Sequence, residues 1–189
     1  RRADSPYAPV MDAFDRMEDD RALELVVIGG MDSEDANQAG GLLGRHRSLD
    51  RTGRASSRGI IPFGPELFQE YADADALVLP SRSEGTPRVL IEARAFGCPV
   101  IATRVGGVGS SVEDGVDGLL IPPTDVDAIT EAVRRLRSDA RLRQRLVSAG
   151  QIRAHRTTVD AQAQLFVDEL ERLLDGVRSG TDRRGKKTA

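Results

Sequence analysis

The chain has 189 residues, enough for one well-buried domain and short for two. Hydrophobic residues make up 39% and charged residues 30%, an ordinary globular balance, and no run of about 18 apolar residues reads as a membrane span. The net charge of −3 is unevenly placed: residues 176 to 189 carry five basic and one acidic side chain, net +4, which leaves −7 on residues 1 to 175. An acidic body argues against nucleic acid as a partner. One cysteine excludes an internal disulfide framework and fits a reducing cytoplasm. No charged start followed by an apolar stretch reads as a secretory signal, and the opening Arg1-Arg2 in place of Met sets the expectation of a fragment or processed chain.

In chain order, residues 7 to 19 predict an amphipathic helix with Val10, Met11, Phe14 and Met17 on one face. Residues 23 to 28 predict the first strand, ended by Gly29-Gly30. No G-x-G-x-x-G follows, so the glycine pair reads as packing or donor access at a strand end rather than a dinucleotide site. Residues 31 to 59 are polar and glycine-rich, with a helix over part of 33 to 47. The cations Arg45, His46, Arg47, Arg51 and Arg54 could hold phosphate, but a solvated connection is the favoured reading. Residues 59 to 63 predict a short strand, and 65 to 73 a helix burying Leu67, Phe68 and Tyr71. Asp73-Ala74-Asp75 pairs two carboxylates, but at a helix end before a buried strand, turn and capping chemistry explains it. His46 and His155 have no Cys, Asp or Glu at ligand spacing, so no metal site is expected.

The densest signal runs from Ala76 to Gly107. Ala76-Leu77-Val78-Leu79 has the continuous apolar character of a strand buried on both faces, and Pro80 stops it. A polar loop, Ser81 to Thr86, leads to Pro87 at the start of a helix from Arg88 to Phe96 that Gly97 ends. Residues 99 to 103 predict the next buried strand. Cys98 stands at its entry as a small hydrophobe, and Gly106-Gly107 opens a second loop on the same sheet edge. In an open parallel sheet, ligands sit outside the carboxyl ends of the strands. There the amides of Arg88 and Val89 point out of a helix N-terminus, which favours an anion such as a diphosphate. Glu84 and Glu92 flank that position. Carboxylates beside an anion site need donors to meet, and sugar hydroxyls are such donors.

Beyond this core, residues 110 to 115 predict a short helix and stop, and 118 to 121 a last strand. Thr124 with Asp127 resembles a capping pair for a helix expected over 125 to 137. Helices over 139 to 149 and 159 to 174 close the chain. The arginines at 134, 135, 137, 141, 143 and 145 read as solvated helix faces. Residues 1 to 175 therefore predict one α/β domain, a doubly wound, Rossmann-like parallel sheet of five or six strands with C-terminal helices. Residues 176 to 189 predict a disordered basic tail, a solvated end rather than a contact for anionic lipid.

Glu84, seven intervening residues, then Glu92, preceded by L-P-S and followed by A-x-A-x-G-x-P-V-I-A-T-x-V-G-G, with D-G-V-D-G-L-L-I-P-P at 114 to 123, resembles the donor-binding half of a retaining glycosyltransferase of family 4. The resemblance implies the C-terminal half of a GT-B enzyme, whose N-terminal acceptor domain lies outside this chain. It implies a hexosyltransferase that moves a sugar from a nucleoside diphosphate sugar, a UDP or GDP sugar, to an acceptor with retention at the anomeric carbon. No cofactor or metal is implied, and the isolated domain is expected to be inactive. The implied location is cytoplasmic, with the full-length enzyme able to reach the inner membrane face.

Carried over residue by residue, the resemblance makes Glu84 the catalytic group that meets donor-sugar hydroxyls, and has Gly85, Thr86, Pro87, Arg88 and Val89 line the sugar and phosphates. Pro87 has no N–H, so the donors there are Gly85, Thr86, Arg88 and Val89. Glu92 holds the ribose hydroxyls, and Phe63 and Gly64 lie near the base. Two positions depart from the family pattern. Counting back from Ala13-Phe14 puts the family's diphosphate-binding Lys at Ser5, leaving Arg1 or Arg2 as a weak substitute, and Ser110 stands where the family has a glutamate. These departures keep a second reading open, a non-catalytic sugar-nucleotide-binding or interaction module of the same fold. A third, an epimerase on this fold, lacks an acid/base set in this half.

Overall fold

The computed structural model describes residues 7–29, 53–158 and, within 160–175, all but 162, 165, 166, 169 and 173. In order, the elements are α1 (Ala8–Asp15), β1 (Leu25–Ile28), β2 (Ala55–Gly59), α2 (Pro65–Asp73), β3 (Leu77–Leu79), α3 (Arg88–Ala95), β4 (Val100–Thr103), α4 (Val108–Ser111), β5 (Leu119–Ile121), α5 (Val126–Ser138) and α6 (Ala140–Arg156). Described residues between 160 and 175 are helical as well. The helix expected within 33 to 47, the cations at 45, 46, 47 and 51, Ser5, the Arg1-Arg2 pair and the tail lie outside the described residues.

All ladders among the described residues are parallel. β3 pairs with β4 and β4 with β5, while β1 pairs with β2. Central β4 is buried along its whole length, as four consecutive apolar or small residues require, and its alternation feeds two cores. Ile101 joins Leu119, Ile121, Ile129, Leu136 and Leu146 on the α5–α6 side. Val100 and Ala102 join Tyr71, Leu90, Ala93 and Val108 on the α2–α3 side. Burying Ile101 completely is worth about 1.5–3 kcal/mol.

Four expectations are corrected. Among the described residues the strands form a two-stranded and a three-stranded sheet, not one sheet of five or six. Leu25 of β1 and Val78 of β3 pack on the same buried cluster, so the two sheets share a core without a common ladder. The second strand is Ala55–Gly59 rather than 59 to 63. Backbone pairing with β1 from Leu25↔Ala55 to Ile28↔Gly59 selects a polar segment that side-chain pattern cannot reveal. The apolar Ile60-Ile61-Pro62-Phe63 becomes a loop, with Pro62 unable to donate to a ladder and Ile60 77% exposed. Asp125, not Thr124 with Asp127, caps α5: its Oδ1 accepts the Ala128 N–H at 2.9 Å, and Asp127 pairs with Arg16. Finally, α6 runs through Gly150 to Arg156. The stem of Arg94 packs over that glycine, where a Cβ would meet Arg94 Cγ at 3.0 Å, and the helix continues past residue 149, where the sequence pattern ends it.

Candidate functional site

Because β3 and β4 are parallel neighbours, the loops that leave their carboxyl ends, 80 to 87 and 104 to 107, lie side by side. They are locked backbone to backbone. The Gly107 N–H donates to the Glu84 carbonyl at 3.0 Å. A Cβ on Gly106 would stand 2.0 Å from the Glu84 carbonyl oxygen, and one on Gly107 1.9 Å from that of Gly85. No side chain fits either gap. From the end of β4, Thr103 Oγ1 donates to the Ser81 carbonyl, and Ser81 Oγ in turn donates to Glu84 Oε1 at 2.5 Å. Glu84 is thus held by its carbonyl and its carboxylate, while Gly85 and Thr86 beside it are exposed.

The loop ends at α3. Pro87 occupies the cap position, and no side chain caps the helix, so its first amides, Arg88 and Val89, keep their outward N–H groups for a ligand. Glu92 lies one turn in, its side chain 20% exposed. Its Oε2 accepts the Tyr71 hydroxyl at 3.1 Å, and its Oε1 lies 4.0 Å from Arg88 Nε. Burial first, and the Glu92 charge second, push the Tyr71 hydroxyl pKa well above its ordinary value. Gly64 caps α2, and the Phe63 ring before it is 66% exposed. The Arg88 guanidinium stands 6.0 Å from that ring's centroid. A strip of rings continues inward: Phe63 meets Phe68 edge-on at 5.0 Å, Phe68 stacks on Phe96 at 4.8 Å, and Phe96 faces Tyr71 at 6.3 Å. Glu84, Gly85, Thr86, Pro87, Arg88, Val89, Glu92, Phe63 and Gly64 therefore gather around the N-terminal end of α3.

Behind the site lies a charged network that sequence reasoning missed. Arg94, 2% exposed, forms an ion pair with buried Asp117 at 3.2 Å and donates to the Leu90 and Ser111 carbonyls at 3.0 Å each. Asp117 Oδ1 also accepts the Glu113 N–H at 2.9 Å. Arg153 of α6 approaches Asp117 Oδ2 at 3.8 Å and donates to the Ser110 carbonyl at 2.9 Å. Desolvation lowers the Arg94 pKa, and Asp117 partly offsets it. The signal was present: Leu90, Ala93 and Arg94 share the buried face of α3, and a charge on such a face calls for a counter-charge. Ser110, the departure noted after the second loop, is exposed on α4 and takes part only through its carbonyl. Cys98 is buried and its thiol is pushed up to about 12, chiefly by burial, which suits packing rather than nucleophilic chemistry. Asp73 accepts a hydrogen bond from Gln69 within α2. Among the described residues, no group of three His, Cys, Asp or Glu could hold a metal, and no helix is long and apolar enough to cross a membrane.

A parallel α/β domain with a glycine-locked double loop and an open helix end at its carboxyl edge belongs to the doubly wound class of folds. The chain belongs to the glycosyl transferases group 1, whose family model matches residues 8–139. It is similar to the D-inositol 3-phosphate glycosyltransferase of Thermobifida fusca, 40% identical over 85 residues that make up 45% of this chain and 20% of that protein. Its fold matches the Anabaena protein HepE solved in complex with UDP, at a TM-score of 0.71 and 23% identity, covering 89% of this chain and 46% of that one. It also matches the C-terminal domain of a group 1 glycosyl transferase, LpcC of Francisella tularensis, at a TM-score of 0.63 and 23% identity, covering 79% and 77% respectively. The fold is thus that of the C-terminal half of GT-B enzymes. The chain spans about a fifth of the first relative's length and under half of HepE's.

Proposed function

We propose that this chain is the donor-binding domain of a retaining hexosyltransferase that takes its sugar from a nucleoside diphosphate sugar, a UDP sugar first among the candidates. One observation carries the reading: the locked loops present Glu84 beside the uncapped α3 N-terminus, with a second carboxylate, Glu92, one turn further on. The diphosphate sits against the amides of Gly85, Thr86, Arg88 and Val89. Glu92 accepts the ribose hydroxyls, the base lies towards Phe63 and Gly64, and Glu84, oriented by Ser81, meets hydroxyls of the donor sugar. As the bond between the anomeric carbon and the diphosphate oxygen breaks, the sugar takes on oxocarbenium character and negative charge builds on the departing phosphate. Fixed helix-end amides aimed at that charge stabilise the transition state more than the ground state, and no metal ion is assigned a step. The acceptor is held by an N-terminal domain outside this chain, which leaves the chain alone able to bind donor and unable to transfer. HepE's complex with UDP supports the choice of base.

The test is calorimetric titration of this chain with UDP, GDP and ADP, repeated with Glu92→Ala. One nucleotide should bind, UDP by this account, and removal of the carboxylate should weaken it by about 1–3 kcal/mol. Binding that Glu92→Ala leaves untouched would overturn the assignment of the ribose site. The Ser5 departure favours one alternative, a module that binds the sugar nucleotide without transfer. Transfer by the full-length protein, abolished by Glu84→Gln, decides between them.

A further inference from the structure

We infer that Tyr71 is a positioning residue for the ribose carboxylate, an inference that rests on the assignment of Glu92 above. Glu92 has three rotatable side-chain bonds and two neighbours competing for its oxygens. Arg88, one turn back on the same helix and 82% exposed, draws the carboxylate outward at 4.0 Å. Tyr71, 5% exposed on α2, holds Oε2 from the other side at 3.1 Å. The Tyr71 ring cannot follow a wandering carboxylate, because it is buried in one cluster with Leu90, Ala93 and Cys98 and faces Phe96. An ionised carboxylate has about four acceptor positions, so the Tyr71 hydroxyl fixes its plane and leaves room for two ribose hydroxyls. Glu92 is itself part of α3, so the tyrosine links the helix that carries the open amides to the helix behind Phe63.

The bland account of the same geometry is a buried phenol that needs a partner and finds one. The two accounts differ in one observable. A tyrosine that only satisfies itself supports every ligand equally, whereas a tyrosine that orients Glu92 matters only to ligands that carry the diol. The experiment is therefore a ligand cycle: titration of the chain and of Tyr71→Phe with UDP and with 2′,3′-dideoxy-UDP. Phe keeps the ring and its packing, and affinity for the dideoxy nucleotide reports whether the variant is folded. The unsubstituted chain should prefer UDP by about tenfold or more, since two hydrogen bonds to a charged group are at stake. Tyr71→Phe should narrow that preference by about threefold or more while changing dideoxy-UDP affinity by less than about twofold. Replacement of Tyr71 by 3-fluorotyrosine, which keeps the donor, should retain the preference. Equal losses on both nucleotides, or no loss on either, would overturn the inference while leaving Glu92 in place. A chain that fails to prefer UDP over its dideoxy form would overturn the reading of Glu92 and the inference with it.

Discussion

Replacing Asp117 by Asn removes one charge from the interior and leaves the rest of its surroundings intact. Asn is nearly isosteric and its carbonyl oxygen can still accept the Glu113 N–H, so what is lost is the counter-charge to Arg94, which is 2% exposed and 3.2 Å away. Arg153 lies at 3.8 Å but is 37% exposed, so water can solvate it. Breaking a buried pair from one side costs about 3–5 kcal/mol, because the remaining charge is stranded without solvent. The retained backbone bond places Asp117→Asn near the lower end, about 3 kcal/mol. For a chain of this size that corresponds to a fall in Tm of about 6–12 °C. In urea, it is a drop of about 1.5 M in the midpoint at unchanged slope. The assay is urea unfolding of the single variants Asp117→Asn and Arg94→Met and of the double variant. Met fills the path of the arginine stem without its charge, so the double variant should be more stable than Asp117→Asn alone, with a coupling of about 2 kcal/mol. A cost below about 1 kcal/mol for Asp117→Asn, or single-variant losses that simply add, would mean that Arg94 does not depend on Asp117 as its counter-charge.

Two further predictions come from the same packing. Gly107→Ala forces apart two backbones that now leave 1.9 Å for a Cβ, and should cost about 2–4 kcal/mol and weaken UDP binding by about tenfold or more. Gly109→Ala, with nothing within 4 Å of its Cβ, should lie within about 0.5 kcal/mol of the parent chain, which isolates the clash from a generic glycine effect. The buried Cys98 thiol, raised from 9.0 to about 12, keeps its proton in the fold while the unfolded chain loses it. Its contribution is therefore fully present below pH 9 and is lost as pH rises from 9 through about 12, at up to about 1.4 kcal/mol per pH unit. Cys98→Ala should flatten the stability curve between pH 9 and 10, below the range where Tyr71 adds its own loss, and an unchanged slope there would contradict the burial argument.

What could be read in the sequence followed from how each feature is encoded. The buried run Val100 to Thr103 and the helix opening after Pro87 are local signals, because one strand and one helix end each fix their own residues, and the glycine pair at 106 and 107 is visible as a loop although its approach to Glu84 and Gly85 is not. Those signals mark Glu84, Arg88, Val89 and Glu92 as candidates around one helix end, while the roles given to them and to Gly85, Thr86 and Pro87 come from the family resemblance. β2 was misplaced because strand pairing is a backbone property: Ser56 and Ser57 pair with Val26 and Val27 while the apolar Ile60 and Phe63 stay outside. The extent of α6 beyond residue 149 is set by Gly150 packing under Arg94, which lies 56 positions earlier in the chain and leaves no local signal. The Arg94–Asp117 pair and the Tyr71–Glu92 hydrogen bond join residues 23 and 21 positions apart, and no periodicity reports a partner across two elements.

In the proposed complex a nucleoside diphosphate lies against the N-terminal end of α3 between the two locked loops. Its most direct test is amide NMR of this 20.4 kDa chain during titration with UDP. The largest shifts should fall on Gly85, Thr86, Arg88, Val89, Gly106 and Gly107, with smaller ones at Gly64 and Glu92 and none along α5. Shifts that leave residues 85 to 89 unmoved and gather elsewhere would contradict it.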